Sequence, residues 1–129
     1  MTEATGSREN LDLGISDHDI VTLKPAKVKI VRVEVISVGK EKKAKKLVCF
    51  SKHPDKDELI ELSNVKYIDG EKITVSGLWV NMSDDGKLQK NSVLAQFMKF
   101  MNATLIKDLE GKECETVLND KYLTIKGYN

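Results

Sequence analysis

Lys27-Val-Lys-Ile-Val-Arg-Val-Glu-Val-Ile-Ser-Val38 runs straight into Gly39-Lys-Glu-Lys-Lys-Ala-Lys-Lys46 and then Leu47-Val-Cys-Phe-Ser-Lys52. The stretch predicts a long apolar strand, a lysine-rich turn and a second strand. The first strand changes the phase of its alternation. Val28 and Ile30 are apolar on even positions, Val31, Val33 and Val35 on odd ones, and Ile36 and Val38 return to even. Side chains alternate strictly along a flat strand, so one buried face does not produce this pattern. A strand that bends or bulges, and serves two sheets, does. Long, curved first strands suit small closed barrels. In the second strand Leu47 and Cys49 share one face, and Lys46, Val48, Phe50 and Lys52 share the other.

The chain has 129 residues, which fits one domain with its own core and no need of disulfides or metals. No apolar run approaches the ~20 residues of a membrane-spanning helix. The first ten residues are polar and lack a secretory pattern, so the default location is cytoplasmic. Residues 1–22 read as a flexible N-terminal segment. Leu11, Leu13 and Ile15 alternate within it without fixing an element.

The formal net charge is +1, unevenly spread. Residues 1–23 carry Arg8 against five acids, a net −4. Residues 24–53 carry nine lysines and Arg32 against Glu34 and Glu41, a net +8. The remainder carries ten lysines against thirteen acids, a net −3. A hairpin that gathers the positive charge attracts anions locally. The same lysines also serve simply to keep a strand pair soluble. Cys49 and Cys114 lie in predicted strands without Cys-x-x-Cys spacing, and His18 and His53 have no partner at metal-ligand spacing. Free, buried thiols are expected, although neighbouring strands would allow a disulfide. No metal and no cofactor is called for. No nucleophile–base pair or phosphate loop occurs, so an enzyme is not expected.

Farther along, His53-Pro-Asp-Lys-Asp57 marks a turn. Residues 58–68 read as a short strand with a phase slip or as an extended excursion. Asp69-Gly70 signals a turn. Residues 72–82 predict a strand in which Gly77 interrupts the pattern, as at a bulge or barrel corner. Asp84 and Asp85 lack the further ligands of a calcium loop and read as turn residues. Asn91 or Ser92 caps a helix over 92–101 with Leu94, Phe97, Met98 and Met101 on one face, widened by Val93 and Phe100. A helical turn at 104–110 ends at Gly111. Strands at 112–118 and 121–126 close the chain around a tight Asn119-Asp120 hairpin.

This order resembles the oligonucleotide/oligosaccharide-binding (OB) fold, a five-stranded Greek-key barrel with a helix between its third and fourth strands. The mapping takes 27–38, 46–52, 72–82, 112–118 and 121–126 as barrel strands and 58–68 as an elaboration. The fold class is thus mainly β with one helix, a five- to six-stranded OB-like barrel over 23–129. The C-terminal half resembles small archaeal and phage proteins that are similar to single-stranded-DNA-binding proteins. The resemblance rests on Ser92-Val-Leu-Ala-Gln-Phe97, Asp108-Leu-Glu-Gly-Lys112 and Tyr122-Leu-Thr-Ile125. It implies a binding module with no catalytic residues.

Single-strand binding by such a fold needs a positive groove and aromatic faces. The candidate residues are Lys40, Lys42, Lys43, Lys45 and Lys46 of the turn, Lys52, and the aromatics Phe50, Trp79 and Tyr122. Each aromatic has a competing reading as core. Phe97 and Phe100 are assigned to the core. Only Arg8 and Arg32 are available for bidentate base reading, so selectivity is expected to be weak and salt dependence strong. The expected partner is single-stranded DNA or RNA. The competing partner is a protein, or a second copy, paired through an exposed edge strand at 58–68.

Overall fold

In the computed structural model, which describes residues 23–39 and 44–129, the opening stretch forms β1 (Val28–Val38) and β2 (Ala44–Lys52). The expected N-terminal segment and the tip of the lysine turn, residues 40–43, lie outside the described residues. β1 and β2 pair antiparallel with one register shift, between Ile30 and Arg32. Val31 is the extra residue, and it is exposed. Val28 and Ile30 therefore face the core before the shift, and Val33 packs against the core after it. The bulge that the phase change predicted is present, at its first reversal. The second reversal has no bulge. Ile36 and Val38 simply lie on the outer face, opposite Lys46 and Ala44.

The chain continues through β3 (Ile60–Leu62), β4 (Asn64–Asp69) and β5 (Lys72–Gly77). The single α-helix among the described residues, α1, spans Val93–Phe100. A 3-10 turn at Ile106–Leu109 follows, then β6 (Glu113–Cys114), β7 (Thr116–Asn119) and β8 (Tyr122–Lys126). Two four-stranded sheets result. One has the order β3-β2-β1-β6 and the other β5-β4-β8-β7. All pairings are antiparallel except β4 with β8. Two stretches serve both sheets: 60–69 passes from one to the other at Ser63, and 113–119 does so at Glu115.

This pairing corrects the expected strand assignment. The stretch 58–68 is no elaboration, because β3 pairs with β2 and β4 pairs with β8. The expected strand 72–82 is broken. Its first half, β5, pairs with β4 across the Gly70 turn, and its second half meets β2 through a bridge between Lys46 and Trp79. The corner falls at Gly77, as expected.

The core gathers Val28, Ile30, Leu47, Cys49, Leu62, Val65, Leu78 and Ile125 from the sheets with Leu94, Phe97, Met98 and Leu109. Each such side chain contributes roughly 1.5–3 kcal/mol on burial. Helix α1 begins where Ser92 accepts a hydrogen bond from the Ala95 amide at 3.1 Å, and its apolar stripe covers the core. Phe100 departs from expectation. It sits to one side of that stripe and is exposed, because the stripe is filled by Leu94, Phe97, Met98 and Met101. Both cysteines are buried free thiols. Burial pushes each up to about 12, and proximity to Cys114 adds to the effect at Cys49.

Candidate nucleic-acid interface

The outer face of β2 is built of cross-strand rows, since directly opposed residues project to the same side. Arg32, Phe50 and Glu61 make one row, and Glu34 opposes Val48 in the next. Ile36, Lys46 and Trp79 make a third, near the lysine turn. The Trp79 segment is stitched to β2 by amides of Leu47 and Val80, which donate to the carbonyls of Leu78 and Lys45, both at 2.8 Å.

Lys46 and Trp79 form a pair. The Lys46 ammonium lies 5.2 Å from the indole centroid, over the ring, and Trp79 is 38% exposed. Gly77 makes room for them. A Cβ at that position would fall 2.8 Å from both Lys46 Cε and Trp79 Nε1. Lys45 is exposed on the other face of β2. This corner pairs one indole with one ammonium; Lys40, Lys42 and Lys43 lie outside the described residues.

The other end of the face is different. The Arg32 guanidinium stacks over Phe50 at 3.8 Å from the ring centroid and forms an ion pair with Glu34. With Glu61 opposite Phe50, the cation here is compensated. Phe50 is half-buried beneath it. Lys52 is turned away: its ammonium donates to the carbonyls of His53, at 3.0 Å, and Lys56. His53 is buried. Its Nδ1 accepts from the Asp55 amide at 3.0 Å, so the ring proton sits on Nε2, which donates to the Lys24 carbonyl at 2.7 Å. Lys52 thus closes the 53–57 turn, and His53 fastens it to the chain before β1. Tyr122 is 74% exposed at the two-residue turn between β7 and β8, in the second sheet.

No protein-family model matches this chain, and neither a curated protein nor a solved structure does.

The expected site therefore divides. Lys46 and Trp79 come together, Lys45 alternates to the other face of β2, Phe50 lies four residues away along β2 under Arg32, Lys52 is spent on a turn, and Tyr122 belongs to the other sheet. Arg32 and Gly77 are the residues that sequence reasoning missed. Arg32 falls opposite Phe50 in the register that sets Val38 against Ala44, a register that a second strand starting at Lys46 does not reveal. A cleft of about 470 Å³ lies elsewhere, lined by Lys27, Phe100, Lys112 and Tyr128 among others, with Glu113 and Glu115 balancing its lysines. Asp85 is held below its usual range by hydrogen bonds from the Ser83 hydroxyl and the Lys87 amide, which makes it part of the Gly86 turn. Among the described residues no three metal-ligating side chains gather, and no helix is long and apolar enough to cross a membrane.

Proposed function

We propose that this chain is a non-catalytic OB-like barrel that binds single-stranded nucleic acid with weak sequence selectivity. The pairing order supports the barrel. β1 joins β2, the stretch 60–69 joins β2 to β8, and 113–119 joins β8 back to β1. The likeness to small archaeal and phage single-strand binders remains a reading of residues 92–97, 108–112 and 122–125. The observation that carries the function is the Lys46–Trp79 pair beside the lysine turn. It offers a partly exposed indole for a base and an ammonium, now resting on that ring, for a flanking phosphate. Lysines hold phosphate as point charges, so binding falls steeply with salt.

The test is a titration with labelled oligothymidine at low and moderate salt, following Trp79 fluorescence. The expected result is quenching that weakens as salt rises. No binding and no quenching at about 50 mM salt would sink the proposal.

A protein-interaction role has one observation in its favour. β5 is the outer strand of its sheet, and the opposed pair Ile68 and Ile73 is more than half exposed. An expected edge at 58–68 is only partly met. β3 is the outer strand of the first sheet, but β4 is flanked on both sides. Sedimentation of the free chain over a concentration series checks this second role.

A further inference from the structure

Arg32 and its surroundings define a second contact on the proposed face. We propose that the Arg32 guanidinium is a base platform, on which a nucleobase of the bound strand stacks. This rests on the single-strand reading above. Phe50 supports the guanidinium from beneath at 3.8 Å, and Glu34 holds it by an ion pair. The outer side remains open, since both side chains are about half exposed. Unstacked bases lie on arginine planes as they do on aromatic rings.

The charge arrangement selects a base here rather than a phosphate. Glu34 compensates Arg32, and Glu61 opposes Phe50 across the strands. These two carboxylates leave the guanidinium little uncompensated charge to offer a phosphate, even with Lys29 and Lys52 in the next row, whereas the face of a base is neutral. With Nη1 engaged by Glu34, one arm of the guanidinium is withdrawn from bidentate reading of a guanine edge. A platform without edge reading accepts any base, which agrees with weak selectivity.

Spacing sets the path. Phe50 and Lys46 are four residues apart on β2, a distance of ~13 Å at ~3.3 Å per residue. One stacked base step covers only ~3.4 Å. Bases on Arg32 and on Trp79 are therefore not neighbours, and the strand runs along β2 between them. Phosphates concentrate at the Lys46 end.

Arg32→Lys and Arg32→Ala in the full chain test this, with oligothymidine long enough to cross the face. Lysine keeps the charge and removes the plane. Both variants are expected to bind about tenfold or more weakly, with the salt slope of wild type and an unchanged urea midpoint. Wild-type affinity in Arg32→Lys would overturn the platform. The NMR resonance of the Arg32 Nε–H supplies a check that needs no variant. It is expected to shift upfield under the ring current of a stacked base, and an unmoved resonance at saturation overturns the proposal. If wild-type protein fails to bind at all, the single-strand reading falls and Arg32's role with it. If wild type binds and Arg32→Lys matches it, only the role of Arg32 falls.

Discussion

Gly77 is defined by what occupies the space beside it. Its backbone is compatible with alanine, since it is not among the glycines of positive φ. The obstacle is contact with Lys46 and Trp79 at 2.8 Å. Both are the ends of long side chains and are able to swing away, so the stability cost of Gly77→Ala is expected to be only ~1 kcal/mol. The effect on the pair is larger. Gly77→Ala is expected to move the indole into water, shift its emission to the red, raise its quenching by iodide and weaken oligothymidine binding. Unchanged emission would show that the pair does not depend on the glycine. The sequence announced a corner at Gly77 through the phase change around it. It did not announce the reason, because Lys46 is distant in the chain and reaches the glycine only through β2.

Among the elements, β1 carries the clearest message. Val31 is the extra residue of its bulge and is exposed. Val31→Ala is expected to change stability by less than ~1 kcal/mol, as surface substitutions do. Deleting Val31 removes the bulge itself. Ile30 and Arg32 already sit opposite the consecutive residues Ser51 and Phe50, so every later side chain keeps its face and only the local bend is lost. Cooperative urea unfolding is expected to survive the deletion, as it survives Val31→Ala. Loss of cooperativity in the deletion would contradict the register. The bulge was legible because two clean alternations met within one strand. The stretch 58–68 was not, since Leu62 and Val65 are both buried three residues apart, a spacing that one strand face does not produce. That spacing is what a chain shows when it changes sheets at Ser63. Phe100 misled for a simpler reason: a hydrophobic helix residue beside the stripe looks like one within it.

At the scale of the whole molecule, the core keeps two acidic groups in their neutral form. The folded thiols of Cys49 and Cys114 are pushed up to about 12, from an ordinary value of 9.0. Unfolding releases them to ionise. Stability from the protonated thiols is complete below about pH 9 and is lost as pH rises through the interval to about 12. The loss is ~1.4 kcal/mol per pH unit for each thiol within that interval. Urea midpoints are expected to fall between pH 8 and pH 10, and the fall is expected to be shallower when both cysteines are replaced by alanine. Equal slopes in the two proteins would show that other groups govern alkaline stability. The pairing of β1 with β6, which sets Val28 against Cys114, has a consequence in time. On a ribosome, β1 and β2 emerge early and pair as neighbours, yet the other margin of β1 waits until residue 114 has been made. Local contacts come quickly and this one comes late. A nascent chain stalled before β6 carries an uncovered margin beside Val28 and Ile30, and that interval is when it is most open to association with other chains.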